Sequence, residues 1–217
     1  MKILALEFSS PERSVAVLAD GGLCVTAAET GGRTVRAFDL IGRALAEARL
    51  EREQIECIAV GLGPGSYTGI RAALAVAQGW QLALGVKLLG VSSVESLALS
   101  AQKREWFGTV NIAIDAQRKE FYLARYEISA QERREITPLK LVSQDDIAQH
   151  LKAGEMLIGP EMDTLFPGTR SLCPGAASIG MLAATRTDFV PGEKLEPIYL
   201  RETGFVKAPA PRVLPTG

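Results

Sequence analysis

Apolar and polar positions along the chain alternate between two periods. Ile3 to Phe8 reads as a strand, Ser14-Val15-Ala16-Val17-Leu18 as a second, and Ser9-Ser10-Pro11-Glu12-Arg13 between them as a turn. Asp20-Gly21-Gly22 predicts a hairpin turn into Leu23-Cys24-Val25-Thr26-Ala27-Ala28. Over residues 35 to 50 the period changes to 3.6: Val35, Phe38, Ile41, Ala44, Leu45 and Ala48 fall on one face, with Arg36, Asp39, Arg43 and Glu47 on the other. The run Ile55-Glu56-Cys57-Ile58-Ala59-Val60 is short, apolar and partly β-branched, as in a strand covered on both faces. Residues 69 to 85 follow as a helix with one charge, Arg71. A helix apolar around most of its surface needs cover on more than one side. At ~1.5 Å per residue it is about 26 Å long, short for a bilayer. It is therefore either the central helix of a large core, or packed by one face on its own sheet and by the other on a partner chain.

Lys87 to Val91 reads as a further strand, and a helix starts at Ser92 or Ser93; Lys103-Arg104-Glu105-Trp106 marks a polar boundary. The order then restarts. Gly108 to Ile114 is a strand, Asp115-Ala116-Gln117-Arg118 a turn, and Glu120 to Ile128 and Ile136 to Val142 two more strands. A helix at 144 to 151, the strand Met156-Leu157-Ile158-Gly159 and a weaker helix at 176 to 186 complete it. Two βββαβα halves, 1–103 and 104–217, are expected, each opened by a strand ending in an acid, Glu7 and Asp115. The repeat is one of order, without residue identity.

Composition narrows the chemistry. The 217 residues are 47% hydrophobic and 23% charged, with net charge −1, ordinary for a globular protein that needs no staples. Cys24, Cys57 and Cys173 are odd in number and scattered, which indicates neither a disulfide framework nor a CxxC metal site and suits a reducing compartment. No secretory pattern precedes the first strand, so a cytoplasmic location is expected. Near-neutral charge argues against nucleic-acid binding by this chain alone, and the pairs Lys103-Arg104, Arg118-Lys119 and Arg133-Arg134 read as solvated surface. His150 is the only histidine, which all but excludes a histidine-based zinc site; a surface position at a helix end is expected for it.

Chemistry is concentrated in Gly61-Leu62-Gly63-Pro64-Gly65-Ser66-Tyr67-Thr68-Gly69-Ile70-Arg71. A glycine-rich turn feeding a helix N-terminus is a physical anion site, with Gly63, Gly65, Ser66, Thr68 and Gly69 as its candidate residues and Ser66 or Thr68 as the helix cap. The motif is not a Walker A loop and fits neither GxGxxG nor G-x-S-x-G. A tight strand-to-helix connection with no ligand is the alternative.

That motif, with Gly90-Val91-Ser92-Ser93-Val94-Glu95-Ser96-Leu97-Ala98, Ile114-Asp115-Ala116-Gln117-Arg118 and Glu196-Pro197-Ile198-Tyr199-Leu200-Arg201, closely resembles the TsaB (YeaZ) family in order and spacing. The resemblance implies the duplicated actin-like (ASKHA ATPase) fold. It also implies a scaffold or activating subunit of the machinery that places threonylcarbamoyl on the adenosine beside the anticodon of tRNAs reading codons that begin with A. The implied partners are a catalytic TsaD homologue in a heterodimer, a TsaE homologue, a second copy of the chain when isolated, and tRNA only through the complex, with no membrane. TsaD carries a His-x-x-x-His metal pair where this chain has Ser93 and Leu97, so no metal and no catalytic residue are expected here; ATP or ADP is left to the interface of the complex. The family usually shows Ile-Asp-Thr where this chain has Leu6-Glu7-Phe8, a change that leans against phosphoryl transfer.

On this reading the chain dimerises through the helices at 35–50 and 69–85, where Gly69, Ala72, Ala73, Ala75, Ala77 and Gly79 would admit a second helix. The candidate partner interface is Arg36, Asp39, Arg43, Ile70, Ala73, Leu74, Ala77, Gln78, Trp80 and Gln81. Ala73, Val76 or Ala77, and Trp80 form one stripe of the second helix and Leu74, Gln78 and Gln81 another; sequence does not say which faces the sheet. The alternative is an ATPase or small-molecule kinase using Glu7 and Asp115 around Mg-ATP. It lacks a phosphate-binding hairpin after Glu7 and a convincing base. A hydrolase built on Ser66 lacks both motif and nearby histidine. The tail Ala208-Pro209-Ala210-Pro211 is expected to be unordered.

Overall fold

A computed structural model describes residues 1–31 and 36–200. Val35, Arg201 and the tail at 208–211 lie outside the described residues. The first sheet contains β1 (Ile3–Glu7), β2 (Glu12–Ala19), β3 (Leu23–Thr30), β4 (Cys57–Gly61) and β5 (Lys87–Val91) in the order β3-β2-β1-β4-β5. The second contains β6 (Gly108–Asp115), β7 (Glu120–Ile128), β8 (Arg133–Ser143), β9 (Met156–Gly159) and β10 (Arg170–Ser171) in the order β10-β9-β6-β7-β8. Followed from β8, the second sheet repeats the first strand for strand: three antiparallel strands, then two parallel ones reached by crossovers. This is the duplicated actin-like fold.

Strand β1 shows why the first sheet needs two covers. All five of its residues are buried, and they alternate between faces. Leu4 and Leu6 join the core under α1 (Ala37–Ala48) and α2 (Tyr67–Leu84); Ile3 and Ala5 pack against α6 (Ala176–Ala183) on the other side. The second sheet lies between α3 (Ser93–Lys103) and the pair α4 (Gln144–Lys152) and α5 (Met162–Leu165). The two sheets separate in sequence between β5 and β6, but their helices cross over: α3 covers the second sheet and α6 covers the first. The crossing helices meet through their serines. Ser100 and Ser178 hydroxyls lie 3.0 Å apart, and Ser96 Oγ donates to Gly175 O at 3.2 Å.

Helix α2 is covered on one face only. Ile70, Ala73, Leu74, Ala77 and Trp80 are buried against the first sheet, while Arg71, Ala75, Gly79, Leu82 and Ala83 are exposed. The stripe containing Ala73, Ala77 and Trp80 therefore faces its own sheet. Ile70, Ala73, Leu74, Ala77 and Trp80 are corrected from partner contacts to core residues: their apolar surface is already spent inside the fold. Gln78 and Gln81 are also occupied. Gln78 Nε2 donates to Gly192 O at 2.8 Å and Gly192 N donates to Gln81 Oε1 at 2.7 Å, which clamps the segment after α6 onto the helix. That segment continues along the sheet, with Val190 N donating to Leu88 O and Ile198 N to Leu62 O.

Boundaries shifted where tertiary pairing or caps intervene. Helix α1 stops at Ala48 because Arg49 turns left-handed with φ 55°, and β8 extends beyond 136–142 because β7 pairs with it along its length. The helix expected over 176–186 closes at Ala183. The four-residue α5 and two-residue β10 are too short for a periodicity to reveal.

Candidate functional site

The two halves enclose a cleft of about 580 Å³, lined from the first half by Ser9, Ser10, Arg13, Gly65, Ser66 and Tyr67 and from the second by Asp115, Gln117, Tyr122 and Glu161. The acids that end β1 and β6 lie on its two sides in very different states. Glu7 is wholly buried behind the first wall; Ser9 N donates to its Oε1 at 2.8 Å and Ser93 Oγ to its Oε2 at 2.7 Å. Ser9 Oγ donates to Ser93 Oγ at 3.0 Å, which closes a small polar network. Burial pushes the Glu7 carboxyl above its ordinary range, and the bonds from Ser9 and Ser93 oppose the shift without cancelling it. Asp115 is exposed and turned back on its own loop, accepting from Gln117 N at 2.7 Å and Gln117 Nε2 at 3.1 Å.

The glycine-rich loop is shaped by this wall. A Cβ on Gly61 would sit 2.2 Å from Glu7 Oε2, one on Gly65 2.1 Å from Ser9 O, and one on Gly69 1.9 Å from Phe8 O. Gly65 also has φ 148°, which a side chain rarely adopts. The loop thus lies directly on the backbone of the β1–β2 turn, fastened by Ser66 N donating to Ser9 O at 2.7 Å and tied to α3 by Ser93 N donating to Gly63 O at 2.9 Å. Of the two hydroxyls proposed as cap, Ser66 serves: its Oγ accepts from Gly69 N at 3.3 Å.

Only part of the expected anion loop therefore reaches the cleft. Gly65 and Ser66 line it, Gly63 and Gly69 are buried behind it, and Thr68 is exposed outside its lining. The Ser66 and Gly69 amides, two donors an anion would use, are already bonded within the loop region. Beside the cleft, Tyr67 stacks on Tyr199 with ring centroids 5.8 Å apart, and Arg71 Nη1 donates to the Tyr67 hydroxyl at 2.8 Å.

Residues Ser93 and Leu97, which the resemblance aligns with a metal pair, are committed elsewhere: Ser93 to Glu7, and Leu97, fully buried, to the core under α3. Among the described residues no three His, Cys, Asp or Glu side chains converge to hold a metal ion. His150 lies in the last turn of α4, half-buried, with Nδ1 2.9 Å from Glu155 Oε2. Arg125 Nη2 reaches the other oxygen of that carboxylate at 2.8 Å. Burial works against the Glu155 charge, but the bonds from Asn111 and His150 and the Arg125 charge hold its carboxyl below the ordinary range. The three cysteines are free, Cys57 buried and Cys24 exposed. No helix among the described residues is long and apolar enough to cross a membrane.

Arg36, just before α1, and Asp39 and Arg43 on it are exposed, with Arg36 Nη2 paired to Glu29 at 3.0 Å; Phe38 is 64% exposed. Sequence reasoning did not find the Ser9–Ser93–Glu7 network or the glutamine clamp on Gly192. Ser93 stood inside a recognised motif, but its partner lies 86 positions away.

Residues 33–172 match the family described as TsaD, tRNA N6-adenosine threonylcarbamoyltransferase. The tRNA threonylcarbamoyladenosine biosynthesis protein TsaB of Escherichia coli is 32% identical over 133 residues, covering 58% of this chain and 55% of that protein. Its namesake in Haemophilus influenzae is 30% identical over 126 residues, covering 58% and 53%. The chain thus spans about half the length of the curated relatives it matches. Two solved structures from Pseudomonas aeruginosa follow it much further. A protein described as similar to peptidase YeaZ has a TM-score of 0.81 and 29% identity over 92% of this chain and 99% of that one, and YeaZ itself has 0.79 and 28% over the same shares. A family match over more than half of the sequence, with YeaZ folds superimposed along nearly all of it, establishes that the chain belongs to the TsaB (YeaZ) branch of the TsaD family.

Proposed function

We propose that this chain is a non-catalytic subunit of a complex that forms threonylcarbamoyladenosine on tRNA, pairing with a catalytic TsaD homologue. The observation that carries this reading is the state of the two positions, Ser93 and Leu97, where the paralogue's metal pair is expected. Ser93 Oγ is bonded to the buried Glu7, and Leu97 is sealed in the core. A serine hydroxyl and an alkyl group offer no site for a metal that prefers imidazole. The same network disfavours the kinase alternative, because a carboxyl that is buried and pushed toward its neutral form is poorly suited to hold a metal-bound water.

The partner surface in this reading moves to what the fold leaves uncovered: Phe38, Asp39 and Arg43 of α1 with Ala75, Gly79 and Leu82 of α2, Leu82 being 90% exposed. Small residues at Ala75 and Gly79 let a second helix approach closely. The same surface would serve a second copy of the chain in isolation, with a TsaE homologue, any ATP or ADP, and tRNA joining only in the assembled complex.

Reconstitution tests the proposal. The TsaD homologue is supplied with tRNA and a source of threonylcarbamoyl-adenylate, with and without this chain, and modified adenosine is measured. The expected result is product only when both chains are present, and no ATP turnover by this chain alone. Robust ATP hydrolysis by the purified chain, or full modification without it, would overturn the proposal.

A further inference from the structure

At the C-terminal end of α3, far in sequence from the glycine loop, two arginines converge on one indole. The guanidinium carbon of Arg170 lies 4.5 Å from the ring centroid of Trp106, and that of Arg104 lies 5.7 Å from it. Trp106 is half-buried and packed against the core of the second sheet, so the ring is an anchored platform. Arg104 Nη1 also donates to Ser100 O at 3.2 Å, which fixes that side chain further.

Neither arginine has a carboxylate partner among the described residues, whereas Arg36, Arg125 and Arg186 each meet one. Two cations held on one ring stand within about a Debye length and repel each other. Cation–π attraction holds both guanidinium groups near the ring, where their N–H groups can still donate to an acceptor. The arrangement is pre-organised for an anion the protein itself does not supply. Phe107, the residue after Trp106, is 44% exposed. Nearby in the fold, Arg133 Nη1 donates to Gln102 Oε1 of α3.

We infer that Arg104 and Arg170, held on Trp106, contact an RNA phosphate, with Phe107 placed to stack an unpaired base. The inference rests on the tRNA reading proposed above and assigns this chain its own contact within the complex. Guanidinium groups donate to phosphate oxygens through charge-assisted bonds, and exposed aromatic rings are the usual platforms for unpaired bases. A chain of net charge −1 gains little from so small a patch alone, which suits a contact that adds to others in an assembly.

The test uses the assembled complex with the TsaD homologue and fluorescently labelled tRNA, titrated at several salt concentrations. The double substitution Arg104→Gln/Arg170→Gln is expected to weaken binding roughly tenfold or more and to reduce the salt slope by about 1.5 to 2. Phe107→Ala is expected to cost severalfold with the salt slope unchanged. Arg118→Gln/Lys119→Gln removes the same charge from another turn and is expected to change binding less than twofold. Gel filtration and thermal melting confirm that each variant still folds and assembles; Trp106 is left intact because it is part of the core. Unchanged affinity in the double variant, or equal losses in the Arg118/Lys119 control, would overturn this inference while leaving the proposed function standing. So would a patch that binds an acidic peptide in preference to tRNA. A wild-type complex that does not bind tRNA at all would overturn both.

Discussion

Two glycines of the same helix should respond in opposite directions to one methyl group. Gly69 and Gly79 both lie within α2, and neither has the positive φ that would itself strain a side chain. Replacing a helical glycine with alanine is worth up to about 1 kcal/mol in its favour. At Gly79 a Cβ meets nothing within 4 Å, so Gly79→Ala should collect that gain. At Gly69 the Cβ would lie 1.9 Å from Phe8 O and 3.0 Å from Phe8 C, both backbone atoms of the strand end. Relief requires the helix start and the β1–β2 turn to separate by on the order of 1 Å. That movement costs about 1–3 kcal/mol as overpacking. It also stretches the 2.7 Å bond from Ser66 N to Ser9 O, worth about 0.5–1.5 kcal/mol. Set against the helix gain, Gly69→Ala should lose about 1–3 kcal/mol. For a chain of this size each kcal/mol moves Tm by about 2–4 °C. Thermal melting of the isolated chain by far-ultraviolet circular dichroism, at a concentration where gel filtration shows it monomeric, should therefore place Gly79→Ala about 2–4 °C above the parent and Gly69→Ala about 2–12 °C below it. If Gly69→Ala melts at or above the parent, close packing does not explain the glycine there, and anion binding by the loop becomes the better account of the motif.

Charge placed on α2 should separate its faces: Ala73→Glu buries an unpaired carboxylate and should cost about 3–5 kcal/mol, whereas Ala75→Glu, on the exposed face, should stay within about 0.5 kcal/mol and instead block association with the TsaD homologue in gel filtration. Glu7 makes stability depend on pH in a definite direction. Its folded pKa is raised, so its contribution is full below the ordinary carboxylate range and is lost as pH rises through the folded value; the stability difference between parent and Glu7→Gln, measured by urea unfolding across pH, should shift in favour of the variant as pH rises. An unchanging difference would show that Glu7 does not titrate differently on folding. Gln78→Ala/Gln81→Ala removes both bonds to Gly192, and hydrogen exchange of residues 190–198 should quicken by roughly thirtyfold, about 1 kcal/mol per bond being at stake; unaltered protection would mean apolar packing alone holds the segment. With Cys57 buried and its thiol pushed up to about 11 chiefly by desolvation, a thiol reagent near neutral pH should label Cys24 quickly and Cys57 only on unfolding.

The longer strands and the βββαβ opening of each half were legible in the sequence because they depend on local periods of two and 3.6 and on glycine and proline punctuation; α5 and β10, which complete the second half, were not. Membership in the family was legible because the loop at 61–71 and the shorter motifs after it resemble the family's in residue order and spacing. The reason for that spacing was not. Gly65 and Gly69 read equally well as a cradle for an anion and as a close approach of chain to chain, and only the positions of Ser9 O and Phe8 O, contributed by a turn some 60 residues earlier, favour the second. The composition of α2 told that it was charge-poor but not which stripe met the sheet, since alanine suits both a core and an open face; packing on the first sheet and the docking of residues 190–198 decided it. Nor could any local pattern announce that α3 covers the second sheet and α6 the first, or that Ser93 holds Glu7. Such contacts join residues that periodicity treats as unrelated, and they exist only once both sheets have formed and brought the ends of β1 and α3 to the same buried point.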